Sequence, residues 1–117
     1  MDKKLSKLFR RVSTFLEEQG FYSQEFNLGN YAENAVCLVP AAQNMFEVFY
    51  GERNFKYNLQ RFPALEDAFD YFISQLTYDE PLQHNLVMTI QFMIKAQDEK
   101  PPIQVTNANR RLEAASV

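Results

Sequence analysis

The chain has few of the residues from which catalytic and metal sites are usually built. Its 117 residues include one cysteine, one histidine, three glycines and no tryptophan. A lone cysteine, Cys37, forms no internal disulfide. The single histidine, His84, has no cysteine or second histidine at ligand spacing, which argues against a zinc site. The glycines are scattered and form no phosphate-binding loop. We therefore expect neither a metal nor a cofactor, and no enzymatic activity.

Long apolar runs are also missing. No stretch approaches the roughly 18 residues that a membrane-spanning helix needs. Lys7, Arg10 and Arg11 interrupt the first apolar segment, so we do not predict a signal peptide. With a single cysteine and no export signal, the expectation is a cytoplasmic protein without a membrane partner.

The size and composition allow one packed domain. Hydrophobic residues make up 46% of the chain and aromatic residues 15%, with eleven Phe and six Tyr. Such a content of rings predicts a core dominated by aromatic packing. We predict a single domain over residues 1–97. Residues 98–117 are polar and poorly periodic, and we interpret them as an irregular tail, with 103–105 as a candidate short strand.

The charge is uneven along the chain. Residues 20–50 contain three acidic residues and no Lys or Arg, and residues 51–80 contain six acidic and three basic residues. Both ends are mildly basic, and the net charge is −3. An acidic field attracts basic proteins and repels phosphate backbones, so we expect a protein partner rather than nucleic acid. The alternative is ordinary solubilising charge.

Hydrophobic periodicity predicts seven elements. Apolar residues at steps of three and four indicate helices. Alternation and runs of β-branched or aromatic residues indicate strands. The predicted ranges are helix 3–19, strands 22–28, 35–39, 45–50 and 55–60, and helices 64–77 and 79–96. The fold class is therefore α+β of order αββββαα, with an antiparallel sheet of about four strands.

The residue patterns of three of these elements lead to more specific expectations. In the fourth strand, Phe55, Tyr57 and Leu59 alternate with polar residues and should share one face. Cys37 lies in the apolar second strand and is predicted to be a small core residue. On the third helix, Met88 and Phe92 widen an already broad apolar face, which predicts either coverage on more than one side or a partner surface.

The remaining chemistry is that of recognition. Tyrosines combine an apolar ring with a polar tip, and carboxylates can form an acidic docking patch. We select as partner-binding candidates the acids and their neighbours around the hairpin and the second helix: Glu47, Glu52, Arg53, Asp67, Asp70, Tyr71, Asp79 and Glu80.

A family resemblance covers residues 45–76. The strand Phe46-Glu47-Val48-Phe49-Tyr50, the turn Gly51-Glu52-Arg53-Asn54 and the acidic helix Glu66-Asp67-Ala68-Phe69-Asp70-Tyr71-Phe72 carry it. This unit resembles small immunity proteins of bacterial polymorphic-toxin and contact-dependent growth inhibition systems. The chain departs from that pattern at Phe46, where Trp is usual, and at Asn54, where Gly is usual.

The resemblance implies a cytoplasmic bacterial protein that binds a cognate toxin domain, often a nuclease with a basic cleft, and blocks it by occlusion. Two alternatives remain open. The first is a small adaptor or regulatory subunit that dimerises or docks through its third helix. The second is an enzyme with a sheet–helix pocket that brings Cys37 or His84 together with carboxylates.

Overall fold

The computed structural model describes residues 1–97. It has the α+β class and the element order predicted from the sequence. The elements are α1 Lys3–Glu18, β1 Phe26–Leu28, β2 Ala35–Pro40, a 3-10 turn Ala42–Asn44, β3 Phe46–Glu52, β4 Phe55–Phe62, α2 Leu65–Leu76 and α3 Glu80–Gln97. The predicted tail over 98–117 and the candidate strand over 103–105 lie outside the described residues.

The sheet has the strand order β1-β2-β3-β4. The β2–β3 and β3–β4 pairs are antiparallel, as expected, but β1 pairs parallel with β2. The parallel pairing arises because the loop over residues 29–34 carries the chain back along the sheet before β2 begins. This loop is anchored on β3, where the Asn34 N–H donates to the carbonyl of Gly51 (2.6 Å).

All three helices contribute to one apolar core on one face of the sheet. The α2 helix lies on β2 and β3, whereas α1 packs on α3 and β1. Phe69 of α2 meets Phe9 of α1 edge-on, with ring centroids 5.9 Å apart, and Phe72 meets Phe26 of β1 at 6.5 Å. Such perpendicular ring pairs contribute beyond the area that they bury. The aromatic stripe of α2 therefore joins the helices to the sheet.

The opposite face of the sheet carries a smaller cluster of Ala35, Cys37 and Phe49, covered by Tyr31 and Ala32 of the loop. The Cys37 side chain is fully buried, which confirms the predicted core role, and burial raises its pKa. Tyr31 stacks on Phe49 with ring centroids 5.8 Å apart. A Cβ at position 51 would collide with the carbonyl oxygen of Ala32, so this close approach requires Gly51.

The tip of the β3–β4 hairpin is a two-residue turn. Arg53 and Asn54 both have positive φ, 54° and 65°, as a type I′ turn requires. The Glu33 carboxylate accepts the backbone N–H groups of Arg53 (2.8 Å) and Asn54 (3.0 Å) and the Tyr31 hydroxyl (2.8 Å). The hydrogen bond from Tyr31, followed by those from the turn, lowers the pKa of Glu33.

The turn predicts opposite effects for two substitutions at one position. Glycine adopts positive φ without a Cβ penalty, so Asn54→Gly should stabilise the chain by about 0.5–1 kcal/mol. Asn54→Val places a β-branched residue in the left-handed region and should destabilise it by about 1–2 kcal/mol. Thermal and urea unfolding of both variants measures this. Equal stabilities would contradict the assigned turn geometry.

Candidate functional site: the β4 edge and its acidic groove

The last strand of the sheet is exposed along nearly its whole length. Every residue from Phe55 to Arg61 is exposed, and only Phe62 is partly covered. Phe55 is 65% exposed, Tyr57 45% and Leu59 37%. The Phe55 and Tyr57 rings contact each other edge-on, with centroids 6.4 Å apart. Large apolar groups exposed side by side indicate an interaction surface more strongly than scattered ones do.

A β-bulge divides this strand. Tyr57 pairs with Tyr50 and Gln60 pairs with Val48, so one extra residue of β4 lies opposite Phe49. Asn58 absorbs the extra residue with a φ of 57°. The prediction that Leu59 shares a face with Phe55 and Tyr57 is therefore wrong. The bulge shifts the alternation by one, and Gln60 takes that place on the helix side of the sheet.

A groove runs between β4 and α2. It has a volume of about 430 Å³ and is lined by Phe62, Asp67, Asp70, Tyr71 and Ser74. The Tyr71 hydroxyl donates to the carbonyl of Asn58 (2.9 Å), and its ring lies 5.6 Å from that of Phe62. Asp67 and Asp70 are exposed beside these rings. We call these five residues the acidic groove. It brings together three of the partner-binding candidates, Asp67, Asp70 and Tyr71.

Glu47 lies elsewhere, on the sheet face opposite the helices. It is only 6% exposed, and its carboxylate binds Lys56 Nζ (2.8 Å) and Arg61 Nε (3.0 Å) of β4. The hydrogen bond from Lys56, assisted by Arg61, lowers the pKa of Glu47 against the opposing effect of burial. Lys56 Nζ also lies 5.1 Å from the centre of the Phe49 ring. Glu47 thus holds β4 to β3, and its charge is balanced internally.

The other candidates are dispersed. Glu52 and Arg53 lie at the hairpin tip, and the 4.0 Å pair between them is largely exposed. Asp79 precedes α3, and its Oδ1 accepts the N–H of Leu82 (3.0 Å), which gives it a capping role. Glu80 is the first residue of α3 and is exposed.

The charge around the groove has one sign. Between Arg61 and Lys95 the chain carries five carboxylates and no Lys or Arg. Three of them, Glu66, Asp67 and Asp70, are exposed on α2. No basic side chain of α2 offsets them, because that helix has none. The helix therefore presents an anionic ridge to anything that approaches β4 from the helix side.

The partner-binding candidates chosen from the sequence do not include Phe55 and Tyr57, the exposed rings of β4. Phe55 and Tyr57 form an alternating apolar pattern that normally indicates burial. The strand order, with β4 last, leaves them uncovered. The only sequence signal was the density of polar residues in 55–61, where Lys56, Asn58, Gln60 and Arg61 are typical of an edge strand.

A second exposed apolar pair lies on α3. Met88 is 57% exposed and Phe92 is 72% exposed, and their spacing of four residues places them on one helix face. The buried residues of this helix, Leu86, Ile90 and Ile94, face the core instead.

The residues considered for catalysis are far apart in the architecture. Cys37 is buried in the cluster on the sheet face opposite the helices, and His84 is exposed on α3. Within residues 1–97, no group of three or more His, Cys, Asp or Glu side chains could hold a metal ion. Over the same residues, none of the helices combines the length and apolar character needed to cross a membrane.

In comparisons with known proteins, no family model, no curated protein and no solved structure matches this chain.

The Glu47 contacts predict a pH-dependent loss of stability. Glu47→Gln leaves Lys56 and Arg61 beside a neutral amide and should lower the free energy of unfolding by about 1–3 kcal/mol. Because folding lowers the pKa of Glu47, the stabilisation is present above the ordinary carboxyl pKa and is lost as pH falls through the folded value. Urea unfolding at pH 7 and pH 3 measures it, and the deficit should shrink at pH 3.

The matched control is Glu52→Gln, at the end of the same strand next to the hairpin tip. It should change stability at pH 7 by less than about 0.5 kcal/mol, because its ion pair is largely solvated. Equal changes in the free energy of unfolding would show that the ion pairs of Glu47 contribute no more to stability than the exposed pair of Glu52.

Proposed function

We propose that this protein is a bacterial immunity protein that acts in the cytoplasm, where it binds a cognate toxin domain stoichiometrically and blocks it by occlusion. The observation that carries the proposal is the anionic ridge of α2 beside the exposed rings of β4. Exposed rings next to exposed carboxylates suit recognition of a basic protein surface. A nuclease toxin, whose cleft must attract phosphate, has such a surface.

The resemblance over residues 45–76 supports the same proposal. These residues build β3, the hairpin tip, β4 and α2, which are the elements that form the acidic groove. The part of the chain that carries the resemblance therefore also contains the exposed rings of β4 and the acidic groove. Electrostatic attraction would speed association with a basic partner, and the rings would slow dissociation.

The proposal predicts protection in living cells. Coexpression of this chain with the toxin domain encoded beside its gene should restore growth, and the two purified proteins should form a 1:1 complex. The double variant Asp67→Lys/Asp70→Lys should weaken that complex at least about tenfold and make it less sensitive to salt. Growth rescue and calorimetric titration at two salt concentrations measure both effects.

The control variant reverses the charge at two positions that lie away from the groove. Glu17→Lys/Glu18→Lys changes the net charge equally on α1, where both residues are exposed. It should retain nearly full affinity. No complex with the wild-type chain would refute the proposed function. Equal weakening by both double variants would show that only net charge matters and that the groove is not the binding surface.

A second candidate function is a small adaptor or regulatory subunit that dimerises through α3. The exposed Met88 and Phe92 favour it, because unpaired apolar residues four apart are typical of helix–helix contacts.

This alternative predicts a homodimer that depends on Phe92. Sedimentation equilibrium at micromolar concentration should then show a dimer, and Phe92→Glu should convert it to a monomer because a charge cannot enter an apolar helix contact. Tyr22→Glu, at another exposed ring, is the control and should leave the dimer intact. A wild-type monomer would exclude dimerisation through α3 and leave only docking of this helix on another protein.

A further inference from the structure

We propose that β4 accepts an extended, basic segment of the partner protein as a fifth strand, so that recognition combines main-chain hydrogen bonds with contacts in the acidic groove. This inference rests on the proposed function and specifies how the partner is held. Strand addition of this kind needs a free strand edge, acidic groups beside one face of the added strand, and features of β4 that disfavour pairing with a second copy of this chain.

The free edge follows from the topology. β4 is the last strand in the order β1-β2-β3-β4, and among the described residues its main packing neighbours are β3 and α2. In an antiparallel pair, alternate residues direct their N–H and C=O groups away from the neighbouring strand. Apart from Asn58, whose carbonyl already accepts the Tyr71 hydroxyl, the outer side of β4 therefore offers backbone donors and acceptors, as strand addition requires.

The two faces of an added strand would meet different surroundings. Side chains on the helix side would lie over the carboxylates of Asp67 and Asp70, next to Tyr57 and Phe62. Side chains on the other side would lie next to Lys56 and Arg61, whose charges are partly balanced by Glu47. The preferred segment thus alternates basic side chains on one face with uncharged ones on the other.

The same features disfavour a second copy. An antiparallel β4–β4 pair about the middle of the strand would place Lys56 of one copy opposite Arg61 of the other, and like charges directly opposite destabilise a sheet. It would also bring two anionic α2 ridges to the same side. The Asn58 bulge adds a local distortion that a symmetric pair would have to match twice. A basic foreign segment with uncharged side chains next to Lys56 and Arg61 avoids the like-charge pairing and the second anionic ridge, and it has to match the bulge only once.

A designed probe tests this without the toxin. The probe is a disulfide-cyclised hairpin peptide whose outer strand alternates Lys and Thr, so that its edge is already extended. Titration into the 15N-labelled full chain should shift the amide resonances of residues 55–62 and of Asp67 and Asp70. A second peptide with N-methyl groups on the outward-facing amides keeps the charge but loses the donors, and should bind at least about tenfold more weakly.

Two further controls separate charge from backbone pairing. Replacing the Lys residues of the probe by Glu should weaken binding at least about tenfold. Asp67→Asn/Asp70→Asn should weaken binding of the Lys probe, whereas Glu17→Gln/Glu18→Gln should not. Both double variants change only exposed side chains.

Three results would overturn the inference: no binding of the Lys probe, equal binding of its N-methylated form, or shifts located on α3 instead of β4. Concentration-dependent shifts of residues 55–62 without any peptide would also overturn it, by showing a second copy on the edge. These results differ from failure of the proposed function. If the chain rescues growth but does not bind the probe, it is an immunity protein that contacts the toxin elsewhere. If it binds the probe but does not rescue growth, the β4 edge binds a different basic partner.

Discussion

The packing of α2 against β2 and β3 is the contact on which the other features depend. The buried rings of Phe69 and Phe72 hold this helix over the middle of the sheet, where they also meet α1 and β1. Because α2 is centred there, its coverage ends at Phe62 and Tyr71, and the rest of β4 has no helix above it. The same placement turns Asp67 and Asp70 outward beside the uncovered strand. The packing of α2 in the core thus also places the residues of the acidic groove.

Two groups of contacts outside the main core fix β4 and the hairpin tip. On the face opposite the helices, Glu47, Lys56 and Arg61 form a compact ion-paired cluster that ties β4 to β3. Nearby, Glu33 and Tyr31 fasten the loop over 29–34 to the hairpin tip. An exposed edge strand is a liability unless something fixes its conformation. These contacts fix β4 from one side and leave its outer edge and its helix-side rings available.

The sequence was most informative where a pattern repeats over several turns. The stripes of α1 and α2, the alternation in β3 and the Pro, Gly and Asn boundaries gave the element order. It was least informative where a single residue changes the register. Asn58 at positive φ shifts the faces of β4, and nothing in the alternation of Phe55, Tyr57 and Leu59 reveals it. Nor could local sequence assign Glu47 to an internal ion pair, since its partners lie 9 and 14 residues away along the chain.

The sequence by itself therefore determined the order and type of the helices and strands, although it began the first strand at 22 where β1 is Phe26–Leu28. It also determined the acidic composition of the middle of the chain and the apolar face of each helix, because these depend on neighbours within a few residues. Only the tertiary structure decided which carboxylates are exposed and which are neutralised, that β1 runs parallel to β2, and that the strand with three exposed apolar side chains lies at the edge. Those outcomes depend on strand order and on where α2 comes to rest, which are set by contacts between distant parts of the chain.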